Sequence, residues 1–414
     1  MRDRRSIRRL RGTARVIALA GLLLELSASG HEAQAQGSAL PLTGELPVNQ
    51  TTSGGQEQPA VDMRDNGTHF VVWRNPVAVG DFNVQLRRFP GDGTTPFAES
   101  NLAQVNGGSQ GNPEIDLNSA GNWLAVWTTD LSGQGLRART STSGILSSEF
   151  QFSEATTGSY FNPRASRAED GSWIAVWEAA SGSSLRRFDA AGAAATGEIP
   201  LGASFSQITA PTVAAVADGE AWVVVRSTEI STAALFLEHY DNLGAQIGNS
   251  EPISENAATS PFAPEIDAAG DGSFVVVWLD SLLGVQVRCF AADGTPRTSE
   301  ETVDADVAEA RLAVATDGAF VVTWRSSDDI AAREYDRTCR PVGAAFVVNT
   351  TTAGTQTGAD AGIANDRFVV VWQGPGAGGD GDGNGVARRL FRRRSLYADD
   401  FESQDLASWS AVAP

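Results

Sequence analysis

Side chains able to do chemistry are sparse in this sequence, and they set the first limits on function. The histidines are His31, His69 and His239, and the chain has no lysine. So few imidazoles exclude a histidine-rich zinc site and leave a Ser-His-Asp constellation little to build on. One G-x-S-x-G string occurs, Gly107-Gly108-Ser109-Gln110-Gly111. It lies in an Asn/Gly-rich connector ahead of an extended stretch, whereas a nucleophile elbow needs a strand before it and a helix after it. It reads as a chance match. No catalytic and no cofactor-binding residue is assigned from the sequence.

Two other features carry possible chemistry. The segment Gly379-Asp380-Gly381-Asp382-Gly383-Asn384-Gly385 places Asp380, Asp382 and Asn384 at alternate positions with glycines between. That pattern matches the opening of a Ca²⁺ loop. The ninth and twelfth positions, Arg388 and Phe391, supply no closing ligand. Calcium would need water or a neighbouring loop to complete its shell, and a solvated loop without metal is the alternative. Cys289 and Cys339 are the only cysteines. A disulfide is permitted in an exported chain. Cys289 falls inside an expected strand and Cys339 in a turn beyond one, so pairing requires a stagger that brings the Cα atoms within ~7 Å. The sequence leaves the pairing open.

The elements that position these residues repeat. DGSFVVVW, ending at Trp278, recurs as segments ending at Trp73, Trp127, Trp177, Val225, Trp324 and Trp372. Fourteen residues before the closing position stand Pro59, Pro113, Pro163, Pro211 and Pro264, then Ala310 and Gly358. A fixed offset inside repeats of variable length describes one rigid unit joined by tolerant loops. Each unit reads as β: a strand opened by proline, an Asp-Gly or Asn-Gly hairpin turn, and a second strand apolar on both faces. A third strand carries arginine (Arg87, Arg187, Arg288, Arg333, Arg388), and a Gly turn leads to a fourth.

Two-sided apolarity means that sheets cover both faces of the second strand. Four antiparallel strands per unit, seven units and covered faces predict an all-β, seven-bladed β-propeller with the tryptophans wedged between blades. The period is too short for tandem sandwich domains. GELPVN (44–49) followed by QTTSGGQ matches AAFVVN (344–349) followed by TTTAGTQ. Strand 44–49 is therefore expected to supply the missing fourth strand of the last blade and close the ring. The sialidase Asp-box does not fit, because Asp170-Gly171 and Asp271-Gly272 are adjacent pairs of ordinary turn chemistry. The recurring arginines are expected on the blade surface, away from the axis.

The expected organisation is a signal peptide at 1–35, the propeller at 36–394 and a tail at 395–414. Seven arginines lie within residues 1–15, VIALAGLLL follows, and Ala33-Gln34-Ala35 offers a cleavage site. The apolar run is too short to span a bilayer. Export leaves 24 arginines against 47 acids, a net charge near −23. Such a surface argues against nucleic acid and anionic membrane as partners. A monomer is expected, exported to the periplasm, the cell surface or the medium.

The pattern G-x-F-V-V-x-W, then an arginine strand, then E/A-F-x-V-N-x-x-T resembles repeats of exported bacterial β-propeller proteins, some of which occur beside calcium-binding repeats. The resemblance covers 44–394 and implies a fold, with no activity attached. ADDFESQDLASWS (398–410) resembles a short C-terminal segment of many exported bacterial proteins, which implies sorting or surface attachment; a strand docked under the propeller is the alternative.

Two classes of function remain. The first is a binding or scaffold module that holds a peptide, glycan or protein ligand at one axial face. The second is a hydrolase or lyase acting on extracellular polysaccharide. Acid–base catalysis needs carboxylates that depart from the repeat and converge at the axis. The acids that stand out instead follow it: Asp62, Asp116 and Asp267 share one position, and Asp170, Asp218, Asp271 and Asp317 another. Binding is therefore the leading expectation. An axis lined by Ser, Thr, Ala and backbone would support it. Two or more carboxylates converging there with an arginine or tyrosine would overturn it.

Overall fold

Seven antiparallel sheets follow one another along the chain in a computed structural model. The described residues are 40–394, apart from 106–107, 131–134, 155–158, 181, 203–207, 217–218, 228–233, 256–259 and 306. The expected signal peptide, the tail, Gly107 and Asp218 lie outside them.

The sheets are the blades of a β-propeller. Their inner strands are Glu57–Met63, Gln110–Leu117, Tyr160–Arg167, Ile208–Ala215, Pro261–Ala268, Val307–Val314 and Thr357–Ile363. Within each blade the second and third strands follow in order outward. The one described helical turn is Ala377–Gly379, and among the described residues no helix is long and apolar enough to cross a membrane.

The two faces of the second strand explain the core. In the fifth blade, Phe274, Val276 and Trp278 pack with Val224, Leu235 and Leu237 of the fourth. Val275 and Val277, on the opposite face, pack with Phe320 and Trp324 of the sixth. Seven apolar clusters arise this way, one at each blade interface. Trp73, Trp127, Trp177, Trp278, Trp324 and Trp372 are all fully buried in them. Val225 takes the same place between blades three and four, beside Ile174, Val176 and Tyr240.

The ring closes through the N-terminal segment. Leu46–Pro47 pairs with Ala387 and Arg388 of the last blade, and Val48 N donates to Val386 O at 2.8 Å. Val48 shares a cluster with Trp73 of the first blade and Val369, Val371 and Val386 of the last. A second short strand, Leu40–Pro41, pairs with Arg392 and Phe391; the sequence reading had not placed it. Asn49 explains the V-N signature, since its Oδ1 accepts Val386 N at 2.9 Å, as Asn349 Oδ1 accepts Ile330 N at 2.8 Å.

Three expectations need correction or completion. The repeat proline does not open its strand. Four inner strands begin three residues earlier, at Gln110, Tyr160, Ile208 and Pro261, and the register shifts just before or at the proline position in every blade. Proline is tolerated there because a bulge frees its position from the ladder. The third-strand arginines do more than cover a surface. Arg87, Arg139, Arg186, Arg288 and Arg389 donate to Val48, Leu102, Phe152, Ile253 and Val348 carbonyls of the preceding blade or its completing strand. Arg187, one position along, reaches Asp241 O at 2.9 Å in the next blade, and Arg388 lies over the Phe89 ring at 4.1 Å. Arg333 is held by Gly343 O of its own blade. In blade four the stapling position is Glu238, fully buried and hydrogen-bonded by Tyr240 Oη and Ser250 Oγ at 2.7 and 2.8 Å.

The cysteines are joined. Cys289 and Cys339 form a disulfide between blades five and six, with Cα atoms 6.5 Å apart. The stagger comes from the turn. Cys339 has φ +67°, the place held by Gly192, Gly244 and Gly294 in other blades, so its side chain projects where those turns carry none.

Candidate functional site at the propeller axis

The bulges put a ring of left-handed residues around one end of the axis. Gln58, Asn112, Asn162, Ala210, Ala263 and Glu309 have φ between +46° and +57°, and Gly358 completes the ring. A non-glycine residue there costs on the order of 1–3 kcal/mol, held only by its surroundings. The surroundings are side chains that accept the bulge N–H groups. Asn112 N donates to Gln58 Oε1 at 2.8 Å, Ala210 N to Glu178 Oε1 at 2.9 Å and Gly358 N to Glu309 Oε2 at 2.6 Å. The backbone is the same in every blade while the side chains differ, which is how a repeat scaffold builds an asymmetric mouth.

Beyond the bulge, the next inner-strand side chain lines the axis. In blade order it is Ala60, Glu114, Arg164, Thr212, Glu265, Arg311 and Asp360, set by equivalent pairing to the second strands. Arg164 pairs with Glu114 of the neighbouring blade. It also reaches past blade four to Glu265 Oε1 at 3.0 Å. Arg311 Nη1 meets the same oxygen at 2.9 Å. Asp360 Oδ2 accepts Val61 N at 2.8 Å. Burial, with the negative charge of Glu114, pushes the Asp360 carboxyl up to about 7. Burial also raises Glu114, against the pull of Arg164 and Arg311. Above this charged floor opens a cavity of about 310 Å³ walled by Gln58, Asn112, Asn162, Glu309, Thr357 and Gln373.

The other end of the axis is different. Asp62 Oδ2 accepts Leu117 N and Asp267 Oδ2 accepts Val314 N, each at 2.7 Å from the next blade. Asp116 Oδ2 accepts Arg167 N, and Ser166 Oγ takes the same role toward Ala215 N at 3.0 Å. These repeat-following acids latch neighbouring blades. Burial, with the nearby Asp116, pushes Asp267 up to about 7 and raises Asp62 well above the usual carboxylate range. The turn acids serve the fold too: Asp170 and Asp271 accept the N–H and hydroxyl of Ser172 and Ser273.

Carboxylates and arginines therefore do converge at this end of the axis. Glu114, Glu265 and Asp360 depart from the repeat and converge with Arg164 and Arg311. The sequence reading missed all five. For four of them the signal was available: Glu114, Arg164, Glu265 and Arg311 follow Pro113, Pro163, Pro264 and Ala310 in the fixed frame, whereas Asp360 stands two residues after Gly358 because the last blade's first hairpin is one residue shorter.

Glu265 is the hinge of the charge network. Replacing it in Glu265→Gln leaves Arg311 without its partner and Arg164 with one of two. The variant is expected to lose about 2–4 kcal/mol in urea unfolding, the lower part of the range for a broken buried pair because water reaches Arg311. The double variant Glu265→Gln/Arg311→Gln should recover part of that loss.

The remaining singled-out residues do not join the axis. His69 is buried, stacked on Phe89 at 5.0 Å, and burial beside Arg388 holds it neutral with a pKa of about 3. His239 stacks on Trp222 at 4.1 Å and meets Glu220 at 2.9 Å. Ser109 Oγ accepts Arg74 Nη2 at 3.0 Å ahead of a strand.

The 379–385 loop joins the second and third strands of the last blade. Its acids engage the closing segment: Asp380 Oδ2 accepts Asn49 Nδ2 at 2.8 Å, Asp382 Oδ2 accepts Gly54 N at 3.1 Å, and Asp380 Oδ1 accepts Asp382 N at 3.0 Å. Asn384 O accepts Gln56 N at 2.7 Å. Among the described residues, no group of three His, Cys, Asp or Glu side chains has metal-ligating geometry. Calcium here is a proposal that calorimetric titration decides. Saturable heat that disappears in Asp382→Ala supports it; a flat titration removes it. Asp380→Ala is expected to cost about 1 kcal/mol in either case, because Asn49 Nδ2 keeps Thr51 O and Gln56 Oε1 as acceptors at 2.8 and 3.0 Å.

No protein-family model matches the chain, and no curated protein matches it. Among solved structures it is similar to a protein of unknown function from Dyadobacter fermentans DSM 18053. They are 14% identical over 85% of this chain and 98% of that one, with a TM-score of 0.53. It is also similar to a polysaccharide lyase of family PL25, an ulvan lyase, at 9% identity, 84% and 96% coverage and a TM-score of 0.55. The same kind of lyase bound to -[GlcA(1-4)Rha3S]- matches at 8% identity, 86% and 94% coverage and a TM-score of 0.53. At these identities the likeness is one of fold alone.

Proposed function

We propose that the bulge-end mouth takes an extracellular polysaccharide and that the axial carboxylates cleave it by acid–base chemistry. The observation that carries this reading is the convergence of Glu114, Glu265 and Asp360 with two arginines at one inner-strand position. In this reading Asp360 holds a proton near neutral pH and gives it to the leaving oxygen of a glycosidic bond. Glu114 takes the proton of the attacking water, whose oxygen bonds to the sugar carbon as the bond to the leaving oxygen breaks. The amide-rich wall offers donors and acceptors to sugar hydroxyls. If the mouth instead acts as a lyase, the same pair removes a proton and protonates the leaving oxygen.

A second reading, binding without turnover, keeps support from a specific observation. Both arginines are already paired with these carboxylates, an arrangement that also suits a rigid floor under a bound ligand. One experiment separates the two. The exported form is incubated with a panel of neutral and uronate-containing polysaccharides, following reducing ends and ultraviolet-absorbing unsaturated ends, with affinity gels run in parallel. New ends from one polymer class support cleavage. Retardation without new ends replaces it by binding, and neither result removes the mouth as a glycan site.

A further inference from the structure

Arg311 stands at the axial position of the inner strand in blade six, and its guanidinium is only half used. Nη1 meets Glu265 Oε1 at 2.9 Å and donates to Ala310 O at 3.1 Å. Nε and Nη2 make no hydrogen bond or ion pair among the described residues, and Asp360 in the adjacent blade does not pair with them. The side chain is 34% exposed. Neither nitrogen belongs to the buried, unbonded ones that Arg64, Arg74, Arg167 and Arg388 contain. Both are therefore open to water. An axis-facing side chain is reached only along the axis, and Arg311 lines the bulge-end cavity, not the one at the other end beside Asp62, Asp116 and Asp267. The open nitrogens face the mouth.

Nε–H and the neighbouring Nη2–H point the same way from a planar guanidinium, and this side-on fork matches two oxygens of one anionic group. Arg164 offers no such edge, because it spends both terminal nitrogens on Glu114 and Glu265. The fixed charges around the fork do not forbid an anion. Burial leaves Asp360 about half protonated near pH 7 and raises Glu114 as well, so the two arginines of the floor are not outweighed. On the rim, Glu309 is paired with Arg325 at 3.1 Å and Glu57 with Arg74 at 3.5 Å. Glu178, across the ring, is held by Ala210 N and Asn162 Nδ2 at 2.9 and 3.0 Å. Two neighbouring sugar hydroxyls could bridge the same donors, but without the charge that makes such a fork about twice as strong.

We infer that the polysaccharide taken by this mouth is an anionic one, with the carboxylate or sulfate of one sugar unit held on the open side-on edge of Arg311. The inference rests on the reading of the mouth as a polysaccharide site and names its substrate class. It also sets the anionic group beside the proposed acid. Arg311 and Asp360 occupy the same position in adjacent blades, and the Arg311 charge pulls the Asp360 carboxyl down. An anion on the fork cancels part of that pull, so Asp360 holds its proton more firmly with substrate bound.

The test is affinity electrophoresis of the exported form at neutral pH in polygalacturonate, alginate and dextran sulfate, each beside its carboxyl-reduced or desulfated form. Non-specific attraction does not mimic the expected result, because the exported form itself carries a net charge near −23. At least one charged polymer is expected to hold the protein about tenfold more tightly than its uncharged form. Whether that polymer is a uronate or the sulfate names the group on the fork. Arg311→Lys, which keeps the charge and loses the fork, should give up about tenfold of the retention, and Arg311→Gln at least as much. The melting transition of each variant reports whether it is folded, and the parent's comparison of charged with uncharged polymers needs no variant. Arg64→Gln removes a charge whose guanidinium donates to Ser119 O at 3.0 Å at the opposite end of the axis, and should stay within about twofold of the parent. Equal or better retention by the uncharged forms overturns the anionic class and leaves the mouth a site for neutral polysaccharide. Charged-polymer retention unchanged in folded Arg311→Lys, or lost equally in Arg64→Gln, overturns it too. So does retention by none of these polymers, while cleavage or retention of a neutral polymer from the wider panel would still uphold the polysaccharide reading.

Discussion

A chain lacking residues 36–50 is expected to lose its cooperative unfolding transition and to elute as oligomers on size exclusion. The deletion removes Leu46–Pro47 from the last blade, takes Val48 out of the cluster joining blades seven and one, and strips Val386 of two hydrogen bonds to Val48 and Asn49. Asp380 loses Asn49 as well. Together these amount to on the order of 5 kcal/mol or more, comparable to the whole stability of many domains. They also uncover the edge of Asn384–Arg392, a nine-residue strand with unpaired backbone groups ready to pair with another chain. Deleting 396–414 should leave the transition within a few degrees. Arg393 and Arg394, retained in that truncation, carry the last contacts among the described residues: Arg393 Nη2 holds Asp317 at 2.9 Å and Arg394 N donates to Glu334 at 2.9 Å. Circular dichroism melts of both truncations check this, and a native-like transition after the N-terminal deletion would show that the ring holds without its closing segment.

The fold was readable because its signals repeat. A second strand such as Phe274–Val275–Val276–Val277–Trp278 has no polar face, and only packing on both sides accommodates it. Seven copies of that argument leave few architectures. The closing strand was readable for a related reason: GELPVN and AAFVVN use Asn49 and Asn349 for the same bond to the neighbouring strand. The axial site was hidden by the same regularity. Residues that follow the repeat draw attention, and Asp62, Asp116 and Asp267 proved to be latches between blades. Glu114, Arg164, Glu265, Arg311 and Asp360 share one inner-strand position and no side-chain type, and their contacts link blades far apart in sequence. The arginine staples show another limit. Arg186 and Arg187 are neighbours in one strand, but alternation sends one to the preceding blade and one to the next, and a run such as LRRF does not announce which. The disulfide depended on Cys339 adopting a glycine's backbone conformation, which sequence offset alone does not reveal.

The buried acids also set how stability responds to pH. Asp267 and Asp360 titrate near 7 in the folded protein, against about 3.9 in an unfolded chain. Between those values the unfolded state has released protons that the folded state still holds, so stability is greatest near the lower value and falls as pH rises toward 7. Cavity water moderates the effect, leaving roughly 2 kcal/mol per group. Urea midpoints measured from pH 5 to 8 should decline, and Asp267→Asn should flatten the decline. An unchanged slope in that variant would mean that Asp267 does not carry the proton.

Asp360→Asn is the decisive substitution for the proposed chemistry. The amide keeps the shape and can still accept Val61 N through its carbonyl oxygen, so the inner strand of blade seven has no reason to move. What it loses is the transferable proton. On any polysaccharide that the parent cleaves, the turnover rate is expected to fall about 10²–10⁴-fold, while retention of the same polymer in an affinity gel stays within a few-fold. The parent's rate should decline as pH rises through about 7, the value at which burial and the Glu114 charge set Asp360, because a general acid works only while protonated. Glu265→Gln moves that limb in a known direction. Freed from Glu265, Arg311 exerts more of its positive charge on Asp360, favours the carboxylate, and shifts the alkaline limb to lower pH. A structural role for Asp360 would lower rate and retention together and leave the limb in place. Parent-like turnover in Asp360→Asn would remove it as the acid, and with it the assignment of acid–base roles at this mouth.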